Sequence, residues 1–300
     1  MIKKIGLGAL VLLVAALLWY LFLKPGDYTV NFKIKTNTGT AMQSLKSWSS
    51  SLDSTRIVSQ EGLEQLTQEI KKGDSLYRLQ WYFKPQQDSI LQVSVDVTDT
   101  NNSLDNRLAV PFGTTVVAQN AEEMVAAFGE ALYDHLQHIK ITIEGEATTP
   151  ATYYAYVPEQ GIQIEKALGM MANYTLLSDV LIQNQVELNG PPFVEITSWN
   201  IYNDSISYRF AFPVKRSDRL PDHPIIKYDR MNAKKSLKAV YNGNYITSDR
   251  AWYALLEYAK EQGIKVDARP IEIFYNNPNM GGNELNWKAE IFMPIATEED

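Results

Sequence analysis

The second half of the chain repeats itself, and a repeat restricts the fold more than any single motif does. Two copies of one supersecondary unit must stack to bury the face that each leaves open. The first copy runs Ala155-Tyr156-Val157, then an amphipathic stretch from about 162 to 181. Gly190-Pro191-Pro192-Phe193-Val194-Glu195-Ile196 and Ser207-Tyr208-Arg209-Phe210-Ala211-Phe212-Pro213-Val214 follow. The second copy runs Ala239-Val240-Tyr241, a helix after Thr247-Ser248-Asp249, then Arg269-Pro270-Ile271-Glu272-Ile273 and Lys288-Ala289-Glu290-Ile291-Phe292-Met293-Pro294-Ile295. Ala155 matches Ala239, Pro192 matches Pro270 and Pro213 matches Pro294, each at an offset of about 80 residues. Each arm reads as strand, helix, strand, strand, with arms at about 140–215 and 224–296. In the second helix Trp252, Leu255, Leu256 and Ala259 form one face, and Gly263 stands where a C′ glycine ends a helix. Two such arms side by side predict an antiparallel sheet carrying two helices, a pseudo-twofold axis and a cleft between the halves.

The first 25 residues are a different material. Residues 5–23 form an uncharged apolar run of 19 residues between Lys3-Lys4 and Lys24-Pro25. At about 1.5 Å per residue the run nearly matches a hydrocarbon core of roughly 30 Å. Trp19 and Tyr20 lie near one end, where amphipathic rings favour the headgroup layer. A cleaved signal peptide has a shorter apolar stretch and a small-x-small exit, whereas this run leaves through Trp-Tyr-Leu-Phe-Leu-Lys-Pro. The expectation is an N-terminal transmembrane helix over residues 1–25, with membrane contact through 5–23. Lys3 and Lys4 favour an inside N-terminus, partly offset by Lys24, Lys33 and Lys35, so the soluble part is expected outside the cytoplasm, on the periplasmic side.

Residues 26–139 read as an α+β unit. Tyr28, Val30, Phe32 and Ile34 alternate with polar neighbours, as in a half-buried strand. A polar, turn-rich stretch holds a short helical candidate around 41–48, and strands are expected over 76–83 and 90–97. Asn120 with Glu123 three residues on suggests a capping box, and Met124, Phe128, Leu132 and Leu136 continue at i+4 spacing. This element order resembles the START/polyketide-cyclase-like helix-grip fold (SRPBCC). The expected fold class is therefore α+β: a transmembrane helix, a helix-grip-like antiparallel domain, and a duplicated domain over 140–300.

Composition removes several functions. Lys+Arg 28 against Asp+Glu 35 gives a net charge of −7, the wrong sign for a nucleic-acid footprint, so no nucleic-acid partner is expected. A mean hydropathy of −0.24 excludes a polytopic membrane protein. The absence of cysteine excludes disulfides, thiolate metal sites, cysteine nucleophiles and a lipoprotein anchor. His135 and His138 stand i, i+3 on the long helix with Asp134 adjacent, but no third ligand accompanies them, and His223 sits in the 221–224 linker. Asn101, Asn173 and Asn203 begin N-x-S/T triplets, relevant only in a glycosylating host. No metalloprotease, nucleophile-elbow or P-loop motif is present, so no metal and no cofactor is assigned.

Tyr241-Asn242-Gly243-Asn244-Tyr245 resembles the aromatic-x-Gly-x-Tyr lead-in to the second helix of gyrase-inhibitor-like domains, which are also the effector-binding domains of bacterial multidrug-responsive transcription activators. The stretch 264–295, with DARPIEIFYNNP and KAEIFMPI, fits that family's closing hairpin. The resemblance covers about 140–296. It implies a pocket between the arms for organic molecules, often cationic and apolar, with an acidic residue on the last strand, here Glu290. The activators carry a helix-turn-helix domain ahead of this module, and none is legible here, which puts DNA-binding regulation in doubt.

Glu290 lies in an apolar strand, where a carboxylate must face solvent, a partner or a ligand. The repeat aligns it with Arg209, so an ion pair between arms is a competing reading. The chain has 17 Tyr and 6 Trp, and aromatic faces suit flat apolar ligands and cations. Trp199, Tyr208, Tyr241, Tyr245, Trp252 and Tyr275 join Glu290 as candidate ligand-binding residues, although core packing is the commoner fate of any one aromatic. Tyr241 and Tyr245 are preferred because they flank a glycine turn. Three functions stay open: a membrane-anchored binder of a lipophilic or cationic small molecule; a hydrolase of electrophilic molecules, as the resemblance allows, with Glu290 activating water and Tyr241 assisting the leaving oxygen; and a protein-interaction or inhibitor module without turnover.

Overall fold

The computed structural model describes residues 2–217 and 220–296. Residue 1 of the expected anchor and residues 218–219 and 297–300 of the expected second domain lie outside the described residues. The chain divides into two compact units, Met1–Tyr133 and Asp134–Asp300.

The apolar run does not form one continuous α-helix. Helix α1, Ile2–Leu18, has 17 residues, about 25 Å of length against the roughly 30 Å of a hydrocarbon core. Trp19–Leu23 then forms a π-turn, in which Lys24 N–H donates to the Trp19 carbonyl at 2.9 Å. The fold uses that end of the run differently from the expectation: the Tyr20 and Leu21 carbonyls accept from Arg107 Nη1 at 3.4 and 3.1 Å. No helix among the described residues is long and apolar enough to cross a membrane. This corrects the expected transmembrane helix, its membrane contact and the periplasmic placement built on it.

In the first unit, β1 (Tyr28–Lys35) is followed by α2 (Thr38–Ser50), β2 (Thr55–Glu61), β3 (Gln65–Lys72), β4 (Ser75–Pro85) and β5 (Ile90–Asp99). Helices α3 (Ser103–Ala109) and α4 (Val116–Gln137) come next. The strands form one antiparallel sheet in the order β1-β5-β4-β3-β2. Asn37 caps α2 by accepting from Thr40 N–H at 2.7 Å. Sequence patterning finds β1, β4, β5 and a shorter α2, and misses β2 and β3, whose charged and amide-rich sequences hide the alternation. Helix α4 begins four residues before the expected cap, with Thr115 Oγ1 accepting from Ala118 N–H at 3.3 Å. Asn120 instead lies inside the helix and donates to Tyr77 Oη at 2.8 Å. Met124, Phe128 and Leu132 of the α4 stripe are buried as the spacing predicts, with Phe128 4.9 Å from Trp81, whereas Leu136 at its end is only partly buried.

The second unit runs β6 (Lys140–Thr148), β7 (Thr152–Ile162), α5 (Lys166–Gln183), β8 (Phe193–Trp199) and β9 (Ser205–Val214). It continues with β10 (Lys227–Met231), β11 (Lys235–Asn242), α6 (Arg250–Gln262), β12 (Ile271–Phe274) and β13 (Lys288–Pro294). Its eight strands are antiparallel neighbours in the order β10-β7-β9-β8-β12-β13-β11-β6. The arms meet where β8 pairs with β12, their repeat-equivalent strands, so the pseudo-twofold axis passes between them. Each arm also has a leading strand, β6 or β10, that crosses over and pairs in the other arm, with β11 and β7 respectively.

Alternation along the strands sets the two faces. Leu177 and Leu181 of α5 and Trp252, Leu255 and Ala259 of α6 pack with Val194, Phe210, Tyr241, Ala289 and Ile291 in one core. Phe193, Ala211, Ile271, Ile273 and Phe292 form a second core on the opposite face. Gly263 ends α6 at φ +67, the left-handed conformation that favours glycine. The α+β class with antiparallel sheets thus holds in both units.

Candidate functional site

A cleft of about 410 Å³ opens on the helix side of the second unit, within the usual range for small-molecule sites. The first arm contributes Ala167, Met170, Met171 and Tyr174 of α5, Pro191 and Pro192 before β8, and Phe210 of β9. The second arm contributes Asn244, Tyr245 and Ile246 ahead of α6, Phe274 and Tyr275, the 276–279 loop and Trp287. Among the described residues, no charged side chain lines it. Its wall is apolar and aromatic, with asparagine amides at one edge. Several of these amides already bond within the rim. Asn244 Nδ2 donates to Glu284 Oε1 at 2.8 Å, and Asn276 Oδ1 accepts from Lys288 N–H at 2.8 Å.

Of the seven residues singled out from sequence, Tyr245 and Tyr275 line this cleft. Tyr245 is anchored through its hydroxyl, which donates to the Lys288 carbonyl at 2.8 Å and accepts from Asn276 N–H at 3.2 Å. Burial pushes that phenol up to about 12, partly countered by the backbone bonds. Tyr275 is half-exposed and donates to Glu290 Oε2 at 2.9 Å. Burial and that bond raise it to about 12.

The other five lie outside the lining. Tyr241 is fully buried, its hydroxyl 2.9 Å from the Asn244 carbonyl and 2.8 Å from Thr247 Oγ1, and burial raises its pKa. Tyr208 packs under α5 and donates to the Lys166 carbonyl at 3.4 Å. Trp199 donates to Gln163 Oε1 at 3.0 Å and meets Trp252 edge-on at 5.1 Å. Trp252 donates to Glu272 Oε1 at 2.8 Å.

Glu290 faces away from the helices. Its strand neighbours Ala289 and Ile291 enter the helix-side core, and Phe292, which shares its face, enters the other. Its carboxylate accepts from Lys288 Nζ at 2.7 Å, Lys238 Nζ at 3.1 Å and Tyr275. Burial pushes this carboxyl up, but the three hydrogen bonds hold it below the usual carboxylate range. Arg209 does not meet it. That guanidinium pairs instead with Glu195 at 3.2 Å and Asp229 at 2.9 Å. Tyr241, paired in register with Ala289, lies on the opposite sheet face from Glu290, so the two do not form a joint acid–base pair.

The carboxylate that does face the helices is Glu272, which sequence reasoning passed over, as it did Lys166. Both side chains are fully buried and form an ion pair. Lys166 Nζ also donates to Ser248 Oγ at 2.8 Å and lies 4.8 Å from the Trp252 ring and 5.9 Å from that of Phe274. A usable signal existed: β12 and β13 share the pattern apolar-Glu-Ile-Phe, so two glutamates competed for the role given to Glu290.

His135 and His138 do not converge. His138 Nδ1 sits 2.8 Å from the Asp134 carbonyl, while burial, then Arg250 and His138, lower His135 to about 4. Among the described residues no group of three or more His, Asp or Glu could hold a metal ion.

The profile of the GyrI-like small-molecule-binding domain matches residues 146–296. The structure is similar to the EcmrR C-terminal domain at 14% identity and TM-score 0.43, covering 53% of this chain and 98% of that one. It is similar to EcmrR in an EcmrR–DNA complex at 13% identity and TM-score 0.45, covering 64% and 70%. It is similar to SAV2435 bound to tetraphenylphosphonium at 14% identity and TM-score 0.37, covering 53% and 96%. No curated protein matches in sequence. The comparisons give no support to the helix-grip (SRPBCC) resemblance of residues 26–139. The duplicated arms, the interarm cleft and the matched profile together make the chain a member of the GyrI-like small-molecule-binding family.

Proposed function

We propose that the chain is a receptor for an uncharged, largely apolar organic molecule held in the cleft between α5 and the segments flanking β12. The observation that carries this reading is the lining: apolar and aromatic side chains with a few amides and, among the described residues, no charged side chain. A cationic ligand would lose its hydration there without a counter-ion, which is costly in an apolar site. Tyr245 and Trp287 form one wall, 6.0 Å apart, and suit a flat ring. Tyr275 is the solvent-side contact, oriented by Glu290 behind it, while Tyr241, Tyr208, Trp252 and Trp199 support the wall from the core.

The test is fluorescence titration of the full chain with N-phenyl-1-naphthylamine, a neutral apolar probe. Saturable enhancement is expected, with affinity falling at least about tenfold, or 1.4 kcal/mol, in Met171→Arg. Met171 is half-exposed on the cleft wall, so the variant is expected to fold. No saturable binding, or equal binding by the variant, contradicts the reading.

A further inference from the structure

Lys166 stands where local rules disfavour a lysine. It is the first residue of α5, at the helix end where the macrodipole is positive and a cation is unfavourable. Its side chain is fully buried, as is that of its partner Glu272. Taking both charges out of water is expensive, and an apolar pair of similar volume often serves stability as well or better. Stability alone therefore does not account for the pair.

Its surroundings have the composition of an ammonium receptor. Glu272 supplies a carboxylate, itself oriented by the indole N–H of Trp252 at 2.8 Å. Ser248 Oγ accepts at 2.8 Å, and the faces of Trp252 and Phe274 lie 4.8 and 5.9 Å from Nζ. Carboxylate plus aromatic faces is the usual chemistry for holding an organic cation. The box also adjoins the cleft. Phe274 lines the cleft and contacts the ammonium, and Ala167, the next residue along, lines it too.

We propose that Lys166 determines the charge specificity of the cleft: its ammonium is the tethered occupant of a cation box made by Glu272, Trp252, Phe274 and Ser248, and it withholds Glu272 from ligands. The proposal rests on the cleft being the ligand site. Removing the lysine side chain converts a receptor for neutral molecules into one that accepts lipophilic ammonium ions.

Two measurements on the full chain test this. The first asks whether the box recognises a free ammonium. In Lys166→Ala, the thermal midpoint is expected to rise with n-propylammonium, which replaces the deleted atoms, and not with 1-propanol at matched ionic strength. Lys166→Ala/Glu272→Gln is expected to lose that discrimination. If Lys166→Ala folds poorly, refolding yield with each additive reads the same comparison. Equal responses to amine and alcohol overturn the proposal.

The second measurement asks whether the box governs the cleft, by displacing N-phenyl-1-naphthylamine with benzyltrimethylammonium or its carbon isostere neopentylbenzene. Wild type is expected to prefer the isostere, and Lys166→Ala to shift the ratio towards the cation by at least tenfold. An unchanged ratio overturns the proposal while leaving the neutral-ligand reading intact. If the wild type binds no probe, that reading fails instead, and propylammonium rescue still reports on the box.

Discussion

Breaking the Lys166–Glu272 pair from one side is expected to be far more damaging than replacing it from both. Each group is fully buried, so removing one leaves the other without its counter-charge, a loss typically of about 3–5 kcal/mol. Lys166→Met belongs at the lower end, because Glu272 keeps the Trp252 N–H donor. Glu272→Gln keeps the shape and an acceptor oxygen, but strands an ammonium whose remaining polar partner is Ser248. At roughly 2–4 °C per kcal/mol for a domain of this size, single variants lower the midpoint of the second unit by about 6–20 °C, with Lys166→Met towards the smaller shift. Lys166→Met/Glu272→Gln removes both charges and is expected to return within about 1 kcal/mol of wild type, a coupling energy of several kcal/mol. Urea unfolding of the full chain, with hydrogen exchange in β12 and α6 read by mass spectrometry, isolates the affected unit. Single variants that change stability by less than 1 kcal/mol, or a double variant equal to the sum of the singles, refute the reasoning.

Gly169→Ala puts a Cβ 2.0 Å from the Tyr208 hydroxyl, so about 1–3 kcal/mol is lost by overpacking. Adding Tyr208→Phe, which leaves the ring carbon Cζ at 3.3 Å, should recover much of it in the same urea assay. His135 titrates near 6.5 when unfolded and about 4 when folded. Between those values the unfolded state binds the extra proton, so stability is full above pH 6.5 and falls as pH drops towards 4. The loss is on the order of 3 kcal/mol at 1.36 kcal/mol per pH unit. His135→Gln should flatten that part of the urea-midpoint profile, and an unchanged slope argues against it. Glu290, held below its ordinary range, contributes stability above the unfolded carboxylate pKa that is lost as pH falls through the folded one. Two of its three partners, Lys288 and Tyr275, are substantially exposed and Gln keeps an acceptor for Lys238, so Glu290→Gln should cost about 1 kcal/mol by thermal unfolding. It should also leave N-phenyl-1-naphthylamine affinity within about twofold, whereas a tenfold loss would return Glu290 to the ligand site.

What the sequence made legible was local. The α6 stripe with its terminal Gly263, the strand alternation in β1, the strands β4 and β5, and the period of the repeat all survive in the structure. What it concealed depends on register and pairing at a distance. Ile271-Glu272-Ile273-Phe274 and Ala289-Glu290-Ile291-Phe292 look alike, yet in the antiparallel register Glu272 lies opposite Ile291 and Glu290 opposite Ile273. That one-residue parity sends the two glutamates to opposite sheet faces. The crossing of β6 and β10 between arms is likewise a non-local pairing that no window of sequence reports. The apolar run at 5–23 fails as an indicator because its last residues form a π-turn tied to Arg107. Of the cleft itself, Tyr245 was legible as an aromatic beside a glycine turn and Tyr275 as one of the aromatics of the duplicated half. Met170, Met171 and the Asn-rich 276–279 loop read as ordinary helix and turn.

The most direct test of the account is methyl NMR of the full chain labelled at methionine, titrated with N-phenyl-1-naphthylamine. Met170 and Met171 line the cleft, whereas Met42 and Met293 are buried in the cores of the first and second unit. Saturable shifts confined to Met170 and Met171 are the predicted result. An absence of saturable shifts, or shifts centred on Met42 or Met293 with those of the cleft unmoved, would contradict it.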